Sequence, residues 1–327
     1  MRYLVTGGAG FIGSALVKRL ISDGHEVVVL DDFSRGQMER LHGVQCDIMC
    51  GDIRDPKYLD RAMPGADSVI HLAYLQGTQT FYEEPRQVLD VAVRGMLNVL
   101  AGCEKWGVGE LLLVSSSEAY QVATMVPTPE TVPCSVPDPL NPRYSYGGGK
   151  IACELMASAW QRTGVLDRVI IARPHNIFGP DMGREHVIPQ FCQRMNELLD
   201  QLTLDPIPFP IQGSGQETRS FCYIDDCIDQ FAILLEHAQA CQLAGTGIYH
   251  VGQMEERTIA DVAHAIAACY ERQIKLQPGT LPQGSPPRRL PDTAKIRKLY
   301  SAAGRTWRHT PFEEGLAATV AWYRDHA

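Results

Sequence analysis

No apolar run in these 327 residues approaches the eighteen or so that a membrane-spanning helix requires. Ten cysteines are present, yet none falls in Cys-x-x-Cys spacing or beside companion histidines, so neither a disulfide nor a metal is expected. Free thiols packed as small hydrophobes in a reducing cytoplasm fit that pattern. Positive charge is in deficit, with 30 Lys and Arg against 38 Asp and Glu and a net charge of −8. That argues against a nucleic-acid partner, which would need a basic face, but a few placed arginines could still bind a small anion. There is no internal repeat and no low-complexity tract. Met1-Arg2-Tyr3 runs straight into an apolar segment, so no signal peptide is expected and the cytoplasm is the expected compartment.

What is present is alternation. Short apolar strands are expected at Tyr3–Thr6, Glu26–Leu30, Ser68–Leu72, Leu111–Val114 and Val169–Ala172, with helices at Phe11–Ser22 and Val88–Trp106. Continuous apolar strands separated by helices imply a parallel sheet covered on both faces, the doubly wound α/β class. Six prolines, at 127, 129, 133, 137, 139 and 142, exclude a helix or central strand there and predict an ordered surface loop over the site. After Ala172 the chain is richer in loops and isolated helices, apart from a strand, turn and helix at Phe221–His237 that return to the sheet. The expected division is a large lobe of residues 1–173 plus about 216–251, and a smaller, discontinuous lobe of 174–215 plus 252–327.

Gly7-Gly8-Ala9-Gly10-Phe11-Ile12-Gly13 follows the first strand and opens the first helix. Gly7 permits the tight turn, Gly10 lets backbone amides approach a pyrophosphate, and Gly13 lets helix and strand pack closely. The helix N-terminus adds positive potential. Asp31, ending the second strand, is placed to accept hydrogen bonds from the adenosine ribose hydroxyls of a dinucleotide. Asp32 beside it would repel a 2′-phosphate, so NAD is expected over NADP, with Arg35 the one residue arguing the other way. Asp52 and Ile53 are expected at the end of the third strand, against the adenine edge and face. Leu72-Ala73 ends the fourth, where a small residue suits close approach to the cofactor. His71 reads equally as a hydrogen-bonded core histidine.

Tyr146 and Lys150 stand four apart near the expected start of a helix, hence on one face. An ammonium beside the phenol should favour the phenolate, and an oxidised nicotinamide should favour it further. Lowering the phenol pKa by roughly three units takes about 4 kcal/mol, within reach of two cations in a partly dry site. Ser115-Ser116-Ser117-Glu118 ends the apolar strand at Leu111–Val114.

With these residues in place, the chain resembles the extended short-chain dehydrogenase/reductases, in their nucleotide-sugar epimerase, dehydratase and decarboxylase group. The likeness runs from GGAGFIG through Gly-Asp-Ile-Arg-Asp, His-Leu-Ala, Ser-Ser-Ser-Glu-Ala-Tyr and Tyr-Gly-Gly-Gly-Lys to Arg-Pro-His-Asn-Ile-Phe-Gly-Pro and Arg-Ser-Phe-Cys-Tyr-Ile-Asp-Asp. It departs at Gly149, where relatives carry serine or alanine, and at Gln121, where many have glycine. The resemblance implies a Rossmann-type lobe, NAD as cofactor and a nucleotide-diphosphate sugar as substrate. It implies Tyr146 as base at the C4 hydroxyl, Ser116 as its hydrogen-bonding partner, and Lys150 holding the cofactor ribose. Asn176 should meet the diphosphate, and Arg219 with Arg288 or Arg289 should clamp the nucleotide. The 4-keto sugar can then epimerise, lose carbon dioxide from a C5 carboxylate, or lose water from C6. Ser117-Glu118 tilts the expectation toward a lyase outcome over simple 4-epimerisation, because the latter needs no carboxylate there. A non-catalytic NAD-binding regulator is the remaining alternative, and the retention of Ser116, Tyr146 and Lys150 speaks against it. Apolar residues on more than one face of Val88–Trp106 and Lys150–Gln161 imply a homodimer through a four-helix bundle. The run Leu198 to Pro210 is expected where the nucleotide pocket lies. Asp225 and Asp226 are expected to cap the helix that follows them.

Overall fold

The computed structural model of the chain describes residues 1–201, 205–240 and 245–326. Its first half alternates strand and helix: β1 (Arg2–Thr6), α1 (Phe11–Ser22), β2 (Glu26–Asp31), β3 (Asp47–Cys50), α2 (Pro56–Ala62), β4 (Ser68–His71), α3 (Thr78–Glu83), α4 (Pro85–Trp106), β5 (Glu110–Val114), α5 (Tyr144–Arg162) and β6 (Arg168–Pro174). There follow β7 (Ile177–Phe178), α6 (Val187–Gln201), β8 (Ile207–Ile211), β9 (Thr218–Ser220), β10 (Cys222–Tyr223), α7 (Ile224–Gln239) and β11 (Gly245–Val251). The chain closes with β12 (Glu256–Thr258), α8 (Ile259–Cys269), β13 (Ile274–Pro278), β14 (Arg288–Arg289), α9 (Ala294–Ala302) and α10 (Phe312–Asp325).

Seven parallel strands form one sheet in the order β11-β6-β5-β4-β1-β2-β3. Every residue of β5 is buried, as expected of a strand covered on both faces. On one side, α1 turns Leu16, Val17 and Leu20 to the sheet beside Phe231 and Leu234 of α7. On the other, α4 buries Val88, Ala92, Met96, Val99 and Cys103, the three-and-four spacing of a helix laid against a sheet. Each such side chain contributes about 1.5–3 kcal/mol of burial for the larger types, so this spacing rather than intrinsic propensity holds α4 in place. Strands β2 and β3 lie to one side of β1, and β4, β5, β6 and β11 to the other. The switch between β1 and β4 leaves a crevice at the C-terminal strand ends.

A second core gathers Phe178, Phe191, Met195, Phe209, Ile266 and Leu316. Around it β8 pairs with β13, and β9 lies between β12 and β14. The two bodies are tied at Arg40, whose guanidinium grips both carboxylate oxygens of Asp181 at 2.7 Å. The proline-rich segment carries no regular element, and its Thr128 donates to Leu290 O and accepts from Asp292 N, both at 2.8 Å. It is thereby fastened to the segment that bears Arg289.

Two local expectations need correction. Asp52 and Ile53 lie just beyond the third strand, which ends at Cys50; Gly51 N makes the last bond to β2, to Asp31 O at 2.9 Å, and the chain then turns. Asp226 does not cap α7. Its buried carboxylate accepts from Thr310 N and Oγ1 at 2.8 Å and Gln253 Nε2 at 3.0 Å, pinning the C-terminal segment. Asp225 pairs with Arg308 at 2.9 Å. Of the run Leu198 to Pro210, residues 202–204 lie outside the described part; the rest ends α6 and opens β8.

Candidate active site

The C-terminal edge of the sheet and the second core enclose a cleft of about 800 Å³. Its floor is the loop after β1. Gly7 has φ +73°, and a Cβ there would lie 2.6 Å from Ala73 N, so only glycine lets the β1 and β4 loops touch. A Cβ on Gly13 would lie 2.2 Å from Gly7 O, so the loop folds directly onto the first turn of α1. With Gly10, Phe11 and Ile12 also at the wall, the helix N-terminus faces the cleft as an anion cradle. Asp31 is buried at the end of β2 and accepts from Ala9 N and Phe33 N at 2.9 Å. Burial lifts its pKa above the usual carboxylate value, against the pull of those two bonds.

Asp52, Ile53, Leu72 and Ala73 line the same end of the cleft. Asp52 is drawn to Arg54 at 2.6 Å, a bond that holds its pKa below the ordinary value. Asn98 donates to Ile53 O at 2.9 Å and fixes that turn. His71 is a satisfied core histidine, 2.7 Å from Thr6 Oγ1, with burial pushing its pKa down to about 3. The glycine cradle, the buried Asp31 and the small Ala73 fit a dinucleotide laid across the strand ends. Arg35 reaches across the cleft to Glu185 at 3.0 Å and is thereby held from acting as a 2′-phosphate ligand. Glu185→Gln should release it, raising NADP+ affinity relative to NAD+ by roughly tenfold at most in paired titrations. An unchanged ratio would show that Arg35 has no bearing on the choice.

Tyr146 and Lys150 lie on the first turns of α5, both buried. The expected direct support of phenol by ammonium needs correction. Lys150 Nζ donates to Val114 O at 2.7 Å and stands 3.8 Å from the Tyr74 ring centre, against 5.8 Å from that of Tyr146. Burial pushes the Lys150 pKa down to about 8. Burial likewise raises the Tyr146 phenol above its ordinary value, and its hydrogen bond with Ser116 opposes this only in part. The protein's own groups therefore keep the phenol protonated, because a dry site costs the phenolate more than Lys150 returns. Ser116 Oγ also accepts from Glu118 N at 3.1 Å, capping the turn Ser117–Tyr120 that aims Glu118 into the cleft. Ser117 is buried and lines the same wall.

Glu118 is surrounded by cations, with Arg289 at 2.9 Å and Arg143 at 3.8 Å. Burial raises its pKa, but Arg289, Arg143 and Arg219 together outweigh that and hold it below the usual value. Arg219 donates to Thr218 O at 2.7 Å and Pro286 O at 2.8 Å, and burial, then Arg289, lowers it to about 10. Asn176 lines the cleft and donates to Ser220 O at 2.8 Å. Arg288 is not in the site. Successive residues of β14 point to opposite sides, which sends Arg289 into the cleft and Arg288 to Glu256 at 2.7 Å, half-exposed.

Sequence reasoning missed Arg143 and Tyr74. Arg143 precedes Tyr146 by three residues, a spacing that shares a helix face and could have been noticed. Tyr74 follows the Leu72-Ala73 pair and carries no signal of its own. A buried network behind the site was missed as well. Glu154 binds Arg173 through both oxygens and Ser115 Oγ at 2.5 Å, and Arg173 continues through Tyr120 to His250.

Residues 3–252 match the family described as the NAD dependent epimerase/dehydratase family. UDP-glucuronic acid decarboxylase 1 of Xenopus tropicalis is 30% identical over 330 residues, covering 99% of this chain and 72% of that protein. UDP-glucose 4-epimerase of Mycolicibacterium smegmatis is 31% identical over 341 residues, covering 99% of each. The crystal structure of DesIV, a dTDP-glucose 4,6-dehydratase from Streptomyces venezuelae with NAD and TYD bound, superposes with a TM-score of 0.83 at 30% identity, covering 99% of this chain and 97% of that one. The chain belongs to the NAD-dependent epimerase/dehydratase family, and it is an enzyme whose cofactor is NAD.

Proposed function

We propose that the substrate is a nucleotide-diphosphate hexuronate, that its sugar is oxidised at C4, and that the net reaction is loss of the C6 carboxylate as carbon dioxide. The observation that carries this reading is the arginine pair about Glu118. Arg289 Nε and Nη2 and Arg143 Nε are buried without a protein partner, so the site holds more donors than its one carboxylate can use. A second carboxylate, on the sugar, would satisfy them.

Once the charge of a bound oxidised nicotinamide has let the phenol proton leave to solvent, Tyr146 takes the proton from the C4 hydroxyl and gives it back to O4 in the closing reduction, with Ser116 sharing that oxygen and Lys150 steadying the cofactor end of the cleft. NAD+, which Gly7, Gly10, Gly13 and Asp31 would hold, would supply the hydride acceptor and later donor for C4 and positive charge near the phenol. In the β-keto acid, the electrons of the C5–C6 bond flow into the C4 carbonyl as carbon dioxide leaves. The enolate then takes a proton at C5 from water, and return of the hydride to C4 with the proton from Tyr146 to O4 leaves the sugar one carbon dioxide shorter. Dehydration fits less well, since expelling the C6 hydroxyl needs a proton donor and Glu118 is held ionised beside Ser117. Asn176 and Arg219 are assigned to the diphosphate and nucleotide, Asp31, Asp52 and Ile53 to the adenosine. The 4-epimerase reading is kept by the relative in M. smegmatis, because Ser116, Tyr146 and Lys150 suffice for it.

Incubation with UDP-, dTDP-, GDP- and CDP-hexuronates and hexoses, read by mass spectrometry, tests the proposal. Loss of 44 mass units, about that of carbon dioxide, from a hexuronate alone is the expected result. An unchanged mass with inverted C4 would replace it with epimerisation, and loss of water from a hexose with dehydration. Glu118→Gln, which loosens both arginines, should slow decarboxylation about 100-fold while 4-keto hexuronate still forms.

The assignment extends to the assembly and the lobes. Leu89 and Leu97 of α4 and Leu155 of α5 are exposed on the faces turned from the sheet, and Leu155 is 68% accessible. A homodimer paired through α4 and α5 would cover them, and the cytoplasm remains the proposed compartment. The NAD lobe is assigned to 1–173 plus about 216–251, the sugar-nucleotide lobe to 174–215 plus 252–327.

A further inference from the structure

Tyr74 touches both residues on which the chemistry turns. Its ring face covers the Lys150 ammonium at 3.8 Å, the closest cation–ring contact that lysine makes. Its ring also meets that of Tyr146 edge-on, 5.0 Å between centres at 77°. Its hydroxyl donates to the backbone oxygen of Tyr146 at 3.1 Å. Between them these contacts join the loop after β4 to the first turn of α5, across the cofactor end of the cleft.

The backbone is cut to admit this side chain. A Cβ on Gly149 would lie 2.2 Å from Tyr74 Oη, far inside any real contact, and 3.0 Å from the Ala92 Cβ. The next atom of the ring, Tyr74 Cζ, would be at 3.5 Å, an ordinary contact. The conflict between a side chain at position 149 and Tyr74 therefore comes down to one oxygen atom. A glycine inside a helix is less favourable than alanine, so its presence on this turn is offset by what it lets in.

Lys150 needs such a partner. Its stem crosses a dry interior, and Val114 O accepts only one of its three N–H bonds. A ring face supplies diffuse negative potential without a charge that would compete for the proton. Burial keeps the Tyr74 phenol well above its ordinary pKa, so Tyr74 stays neutral and cannot stand in for Tyr146 as base.

We propose that Tyr74 is a positioning residue that holds the Lys150 ammonium beneath its ring, and that residue 149 is glycine in order to seat the Tyr74 hydroxyl. Tyr74 acts through Lys150 and Tyr146, at the site assigned above to hexuronate chemistry, and on that assignment only its effect on turnover rests.

Four full-length variants decide it: Tyr74→Leu, Tyr74→Phe, Gly149→Ala and the pair Tyr74→Phe with Gly149→Ala. Each is titrated with NAD+, assayed for turnover of UDP-glucuronate, and melted to record its thermal midpoint. Tyr74→Leu and Gly149→Ala should each weaken NAD+ binding about tenfold and lower kcat by a similar factor. Tyr74→Phe, which keeps the ring, should stay within about threefold of the parent. The pair should recover most of the Gly149→Ala loss, because removing the oxygen removes the 2.2 Å conflict and leaves only the milder one of 3.0 Å with the Ala92 Cβ. Parent-like NAD+ binding in Tyr74→Leu, even with a lowered midpoint, would reduce Tyr74 to packing and overturn the proposal. A Gly149→Ala defect left undiminished in the phenylalanine background would overturn it too. If the parent leaves UDP-glucuronate untouched while NAD+ binding follows the expected pattern, Tyr74 keeps its role and the hexuronate assignment falls.

Discussion

Tyr146→Phe should lower turnover by roughly 1,000-fold or more while leaving the thermal midpoint within a few degrees of the parent, because it deletes one oxygen and no packing. The phenol is buried, stacked on Phe81 at 4.7 Å and bonded to Ser116, so the ring should keep its place when the hydroxyl goes. Among the described residues no other group is arranged to replace it. Glu118 is committed to two arginines, and His71 is neutral and bonded to Thr6. Activity above a tenth of the parent would remove Tyr146 from the role of base.

The same site carries a pH signature whose sign follows from Lys150. Burial lowers that pKa to about 8, so the ammonium is present below pH 8 and lost above it. The log of kcat/KM should therefore bend downward near pH 8, where positive charge beside the cofactor disappears. Lys150→Arg stays charged throughout this range, and though slower it should lose the bend. For stability the sign reverses. Lys150 binds its proton less tightly folded than unfolded, so its contribution rises as pH climbs from about 8 toward the ordinary lysine value.

Glu154→Ala should cost about 3–5 kcal/mol of folding stability, the expected price of leaving a buried guanidinium without its carboxylate. Arg173 is 3% exposed, so water cannot take over the lost interaction. The damage should also reach the site, since Glu154 holds Ser115, the neighbour of Ser116, and Arg173 holds Tyr120, which closes the turn carrying Glu118. Replacing Glu154 and Arg173 together with methionine should recover much of the stability, because no charge then stays buried unpaired. Denaturant unfolding measures both. A loss below about 1 kcal/mol in Glu154→Ala would mean that the network relaxes to reach solvent.

Much of the cofactor half was legible because its determinants are local. Gly13 is demanded by its contact with Gly7 O within one strand–turn–helix unit, Gly7 by the positive φ of that turn, and Asp31 marks the end of the next strand. The arginines were legible only in kind, since an anionic substrate calls for them wherever the fold can supply them. Arg288 and Arg289 could not be separated without knowing which side of β14 faces the cleft. Asp226 misled because an acidic residue at the start of a helix is a cap by default, and here Thr310, 84 positions away, claims it instead.

The linear pattern by itself determined the doubly wound sheet, the dinucleotide loop and the placing of Tyr146 and Lys150 on one helix. Each is specified by apolar periodicity, by glycine where no Cβ fits, or by spacing along one helix. Only the tertiary structure decided the electrostatics. It set Lys150 under Tyr74 rather than against Tyr146, surrounded Glu118 with Arg143 and Arg289, and turned Arg35 toward Glu185. Those pairings join segments up to 171 residues apart. Their strength depends on how much water each group loses, and burial is a property of the packed chain that no spacing of residues records.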